Sequence, residues 1–286
     1  LVAQDETMHG EAATPGPRTL LLTRVGAMQI SRLDGKPAGR KPVHTSLHAL
    51  AAMEDILAAL ERALRNGAQI FWVCPLVSES EALDIAAAEA RYAELMERFG
   101  AVVGLAHGQQ DATLREQALQ DFAAGQTRIL VATTVIEVGV DIPSATVMVV
   151  EHAERFGLAQ LHQLRGRVGR GADASYCLML HDAALGQTAR NRLTCLRDTE
   201  DGFLIADEDF RLRGGGDATG RRQSGLPEYR LAPEELVDKI LAIAYAQAEI
   251  ILPSTAPETA QPLDTAPTVL LTLFDKADAA RIFNGG

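Results

Sequence analysis

Apolar residues along this chain follow two alternating rhythms. "LAALERALRNGAQIFWVCPLV" starts as an amphipathic helix, stops at Gly67, and passes into an aromatic and β-branched strand from Ile70 to Val73. "ALDIAAAEARYAELMERFG" is alanine-rich and helical and is closed by Gly100. The short strand "VVGLAHG", the helix "DATLREQALQDFAAG" and the apolar strand "RILVATT" follow. "ATVMVVEH" is a continuous apolar run of the kind a buried parallel strand carries, and "SYCLMLH" is one more strand. Strands alternating with helices in this way predict an α/β fold built on a doubly wound parallel sheet. Ligands of such sheets sit at the carboxyl ends of the strands, where "AHGQ" and "TTVIEVGVD" lie.

Beyond His181 the pattern changes. "ALGQTARNRLTCLRDTEDGFLIADEDFRLRGGGDATGRRQSGLPEYR" joins a helical start to a glycine-rich, arginine-bearing loop and reads as a small separate module. "PSTAPETAQPLDTAP" has few order-promoting residues and reads as a linker. "TVLLTLFDKADAARIF" is a final amphipathic helix. The expected divisions are 1–39, 40–185, 186–252 and 253–286.

Composition narrows the class. The 286 residues, 47% hydrophobic and 23% charged, suit a soluble globular protein of about two domains. A net charge of −11 means that any nucleic-acid contact must come from a local basic patch. Cys74, Cys177 and Cys195 form no CxxC pair, so neither a metal site nor a disulfide framework is expected, and reduced thiols suit a cytoplasmic protein. No leader and no membrane-spanning run is expected.

The positive charge is concentrated in "LHQLRGRVGRG", residues 161–171. If this stretch is helical, Gln160, Gln163, Arg167 and Arg170 share one face, and Leu158, Leu161 and Leu164 form an apolar stripe beside it. Gly166 and Gly169 would each cost about 1 kcal/mol of helix propensity, so a close backbone approach is implied. Guanidinium forks suit phosphate oxygens. A solvated basic turn explains the stretch, taken alone, equally well.

In its wider setting the stretch is more informative. "ILVATTVIEVGVDIPSATVMVVEHAERFGLAQLHQLRGRVGRG" resembles motifs V and VI of the superfamily-two helicases, and is most similar to the RecG family of ATP-dependent DNA helicases. "FWVCPLVSESEALD" resembles the motif IV region. "DGFLIADEDFRLRGGGDATGRRQSG" resembles the translocation motif that this family shares with the transcription-repair coupling factors, a third and weaker match. The resemblance runs from about Ala13 to the C-terminus.

It implies a RecA-like C-terminal lobe followed by a small helical-hairpin module. The activity implied is ATP-driven remodelling of branched DNA, such as stalled forks and Holliday junctions, in recombination and repair. ATP and Mg2+ would lie between two lobes, with Arg167 and Arg170 as arginine fingers and Gln163 linking nucleotide state to DNA grip. Gly139 and Asp141 would approach the ribose and γ-phosphate, although a capping aspartate is the plainer role. Thr133 and Thr134 would hold a DNA phosphate, as would His107 and Gly108, although a lone histidine there is more often structural. Arg165 is off the basic face and is expected in a structural ion pair, and Glu137 is expected to be structural. Arg192, Arg213 and Gln223 match the coupling positions, whereas Gly215, Asp217 and Arg221 depart from the family pattern. Forked DNA is the expected partner, with single-strand DNA-binding protein a further candidate, and a monomer is expected.

No GxxxxGK[ST] phosphate loop is present, since Gly35-Lys36 is followed by Pro37. "LVAQDETMHG" is similar to a magnesium-binding Asp-Glu box at Asp5 and Glu6, but Thr14 follows too soon for the intervening elements. Residues 1–39 are therefore expected to be a remnant of the first lobe, with "GKPAGRKP" as the interlobe linker. Two readings follow: the C-terminal part of an ATP-driven DNA translocase, or a non-catalytic DNA- or partner-binding fragment.

Overall fold

The computed structural model describes residues 41–75, 81–133, 142, 144–171, 173–213, 240 and 243. Apart from the last two, all of these fall in one compact unit. The strands are β1 (Val43–Ala49), β2 (Gln69–Val73), β3 (Val103–Ala106), β4 (Ile129–Ala132), β5 (Ala145–Val150) and β6 (Ser175–His181). The helices are α1 (Met53–Arg65), α2 (Glu81–Phe99), α3 (Ala112–Ala123), α4 (Leu158–Arg165), α5 (Gln187–Asp198) and α6 (Gly202–Arg213). The strands form a six-stranded sheet in the order β1-β6-β5-β2-β4-β3, and every pairing is parallel.

The apolar strand runs have a direct cause: the sheet is covered on both faces. Ile70, Trp72, Ile129, Val131, Val147 and Val149 point into one buried cluster with Ile56, Leu57 and Leu60 of α1 and Ala88 and Leu95 of α2. Phe71, Val73, Leu130, Ala132, Met148 and Val150 point into the other, with Phe122 of α3 and Leu158, Leu161 and Leu164 of α4. The second cluster also takes in Leu193, Leu196 and Ile205 from α5 and α6, so it runs past position 186. Helices on both faces of a parallel sheet make this the doubly wound α/β fold.

One strand went unread in the pattern, and one helix ends early. β1, "VHTSLHA", is an edge strand whose His44 is exposed, so it lacks the apolar signature of its neighbours. α4 stops at Arg165, earlier than a helix spanning the whole basic stretch would. Gly169, at φ +76°, turns the chain, and a Cβ built on it would lie 2.8 Å from Val43 Cγ2. Cys74 and Cys177 are buried free thiols. Burial pushes Cys177 up to about 12 and Cys74 higher still, which leaves both unreactive.

Candidate functional site

A parallel sheet gathers the ends of distant segments on one rim, and the sequence-expected residues are distributed along it. β3 and β4 pair with Ala106 opposite Ala132, so His107 and Thr133 leave the sheet side by side. The Thr133 amide donates to the Ala106 carbonyl at 3.4 Å, and the His107 amide donates to Gln110 Oε1 at 3.0 Å. His107 is only 5% exposed and Thr133 is fully enclosed. The His107 Nε2 lies 3.6 Å from Glu89 Oε1 on α2. His107 Nδ1 and Thr133 Oγ1 are buried with no hydrogen-bond partner among the described residues. Two adjacent unsatisfied groups of this kind call for an explanation, since buried polar atoms are almost always paired. Gly108 is exposed, and its carbonyl accepts from Arg115 Nη1 at 3.5 Å. Thr134, Glu137, Gly139 and Asp141 lie outside the described residues.

The basic stretch begins on α4, anchored as its leucine spacing implies: Leu158, Leu161 and Leu164 are at most 1% exposed. Gln160 Oε1 accepts from the Gly157 amide at 3.2 Å and closes the start of the helix. Gln163 is exposed and Arg167 half-buried. The Arg167 amide still reaches the Leu164 carbonyl at 3.0 Å, so the turn carries on past the helix end. Arg170 does not share that helical face. It follows the left-handed Gly169, and its Nε folds back to the Gly166 carbonyl at 3.3 Å. Its guanidinium stays exposed beside the helix end.

Arg165 is structural, as expected, but its partners are carbonyls: Nη1 donates to Leu196 O at 2.5 Å and Thr199 O at 2.9 Å. Burial lowers its proton affinity, and the nearby Cys177 and Glu200 act in the opposite direction. It thus fastens α4 to the last turn of α5 and the residue that follows it. Arg192 of α5 makes a similar link, with Nη1 donating to Phe156 O at 3.2 Å and Nη2 to Glu154 O at 3.4 Å. Those carbonyls belong to the turn that leads into α4. Arg213 ends α6, its side chain outside the described set, and Gln223 also lies outside it.

Two clusters on the rim went unnoticed in the sequence. Glu151, just after β5, is 8% exposed. It accepts from Trp72 Nε1 at 2.9 Å, Arg91 Nε at 2.9 Å and Arg91 Nη2 at 2.7 Å. Burial alone would lower the Arg91 pKa, but the hydrogen bonds to Glu151 and the negative charges of Glu151 and Glu94 together outweigh it and raise the value. A tryptophan inside a buried strand, whose indole N–H needs a partner, was the available signal. Next to it, His152 sits at φ 50°, its Nδ1 3.1 Å from Glu154 Oε1 and 3.6 Å from Asp182 Oδ2. These three are metal-ligand residue types. Arg155 Nε, 3.9 Å from Glu154, and Arg192, on its carbonyl, already supply positive charge there.

Comparison with known proteins agrees with this geometry. The family model for the helicase conserved C-terminal domain matches residues 51–172. The ATP-dependent DNA helicase RecG of Acidithiobacillus ferridurans is 47% identical over 241 residues, covering 84% of this chain and 35% of the relative. RecG of Bacillus subtilis is 43% identical, covering 80% of this chain and 34% of its own length. A solved structure of RecG bound to a three-way DNA junction is 37% identical with a TM-score of 0.61, covering 81% of this chain and 30% of that one. The chain therefore spans about a third of the length of the relatives it matches. The parallel sheet and the matched family model together make this a RecA-like helicase C-terminal lobe. Within that class the chain matches the C-terminal helicase portion of RecG proteins.

Proposed function

We propose that this chain is the second motor lobe and translocation segment of an ATP-dependent DNA helicase that remodels branched DNA. The observation that carries this reading is the likeness to a RecG–junction structure across 81% of the chain. In this reading the rim at β3 and β4 grips a DNA phosphate. Thr133 Oγ1 and His107 Nδ1, buried without a hydrogen-bond partner among the described residues, stand beside the exposed Gly108 backbone. Phosphate contacts of this type position the nucleic acid without reading its sequence.

The end of α4 faces the nucleotide. Arg167 and Arg170 fit a polyphosphate because guanidinium forks complement phosphate oxygens. They stabilise charge that develops on the transferring phosphoryl group, with Gln163 reporting its presence along α4. Gly139 and Asp141 complete the contact with ribose and γ-phosphate. When bound, ATP would supply the phosphoanhydride bond and Mg2+ would screen its charge. Arg192, Arg213 and Gln223 carry lobe motion to the duplex, and the Arg192 grip on the turn before α4 supports the first part of that path. The protein works where the DNA is, in the cytoplasm; no described helix is long and apolar enough to cross a membrane.

The test joins this chain to the remaining N-terminal length of the Acidithiobacillus relative. Phosphate release is then followed with no DNA, with linear duplex and with a three-way junction. Turnover stimulated most by the junction is expected. ATP turnover indifferent to all DNA would overturn the proposal and favour a binding fragment.

A further inference from the structure

The buried carboxylate Glu151 is held by groups from two other elements, and its surroundings suggest a task besides cohesion. Both of its oxygens are in use: Oε1 by Arg91 Nη2, and Oε2 by Arg91 Nε and the Trp72 indole. The Arg91 guanidinium lies 5.5 Å over the Trp72 ring, and its remaining Nη1 donates to Glu94. Arg91 is therefore committed on every side, in a fork that only guanidinium geometry allows.

α2 also reaches the opposite part of the rim. Glu89 is two residues from Arg91, so the two side chains leave the helix about 200° apart. Glu89 meets His107 beyond β3, while Arg91 meets Glu151 beyond β5. In the order β5-β2-β4-β3 these strand ends are three positions apart, about 14 Å. One helix thus touches two separated parts of the same edge. On one side is the pair His107 and Thr133. On the other, Glu151 is the first residue of the turn that runs through His152 and Gly157 into α4.

We propose that Arg91 is a positioning residue, acting through α2 to keep the DNA-facing rim at β3 and β4 in fixed register with the turn that launches α4. This rests on the function proposed above. Without the fork, the donors left to Glu151 among the described residues are the indole and the Cys74 thiol, 4.0 Å away, and a shift of α2 at His107 no longer reaches the base of α4. DNA bound at one end of the rim then loses its influence on the arginines at the other.

The experiment uses the two-lobed fusion carrying Arg91→Met, which keeps an unbranched apolar stem but no charge, and Arg91→Lys, which keeps its charge without the fork. Turnover is measured with and without junction DNA, alongside KM for ATP and the melting temperature. For Arg91→Met the stimulation by DNA should fall about tenfold, while DNA-free turnover and KM stay within about twofold; Arg91→Lys should recover only part of the stimulation. Glu89→Gln, which leaves the buried pair intact, tests the other end and should also weaken stimulation. Unchanged stimulation in Arg91→Met, or in Glu89→Gln should Arg91→Met fail to fold, overturns the proposal. So does an equal fall of DNA-free and stimulated turnover, which marks a purely structural pair. A parent fusion that ignores DNA instead defeats the function reading, and this inference with it.

Discussion

Replacing Gly169 with alanine should destabilise the lobe by two separable contributions. A non-glycine residue at φ +76° carries roughly 1–2 kcal/mol of left-handed backbone strain. The added methyl would also stand 2.8 Å from Val43 Cγ2, where β1 must give way. Overpacking of that kind costs about 1–3 kcal/mol, so the sum is about 2–5 kcal/mol. With roughly 2–4 °C lost per kcal/mol in a domain of this size, the melting temperature should drop on the order of 10 °C. Gly125→Ala is the control: its φ is +74° and nothing lies within 4 Å of the added atom, so only the strain applies. Urea unfolding of the wild type, both single variants and the pair Gly169→Ala with Val43→Ala separates the contributions. The pair should cost at least about 1 kcal/mol less than the sum of its members, because removing the Val43 methyls relieves the clash. Equal costs for Gly169→Ala and Gly125→Ala, or strict additivity in the pair, would refute the packing argument.

Arg165→Lys should lower stability by about 2 kcal/mol in the same assay, because the lysine side chain is one atom shorter and cannot bring its ammonium to the place from which Arg165 Nη1 reaches both the Leu196 and Thr199 carbonyls. In the two-lobed fusion, Arg167→Ala and Arg170→Ala should each reduce ATP turnover by about 10³-fold while junction affinity, read by fluorescence anisotropy, changes little. Near-normal turnover in both would make the basic stretch a solvated turn. Gln223→Ala should keep DNA-stimulated phosphate release and lose strand separation on a synthetic fork followed in the same sample; proportional loss of both would remove its coupling role. The 286-residue chain alone should release no phosphate from ATP above background, with or without forked DNA, since its sequence contains no phosphate loop.

The core strands were legible because they are sandwiched: β2, β4 and β5 bury both faces, and their runs are apolar except for Gln69 at the start of β2 and Thr146 in β5. β1 was not, because an edge strand with His44 in solvent needs no such run. The α4 anchor was legible from Leu158, Leu161 and Leu164. The helix end was not, because helical spacing cannot show that Gly169 takes a left-handed turn and carries Arg170 off the face of Gln163. His107 and Thr133 could be placed at strand ends from the sequence, but their adjacency depends on the β3–β4 register, which only the sheet order supplies. Arg91 and Glu151 are 60 residues apart, and no periodicity connects them.

The edge position of β1 bears on how the chain is made. Its one strand partner among the described residues is β6, which starts at Ser175, and the Val43 amide at its start donates to Glu200 Oε1 at 2.7 Å. At a synthesis rate of about 5–20 residues per second, the ribosome takes roughly 6–25 s after finishing β1 to reach β6. Throughout that interval a strand without its neighbour is open to pairing with other nascent chains. The histidines, threonine and serine of "VHTSLHA" make it a poor template for such contacts. The polarity that hid this strand in the sequence thus protects the chain during its own synthesis.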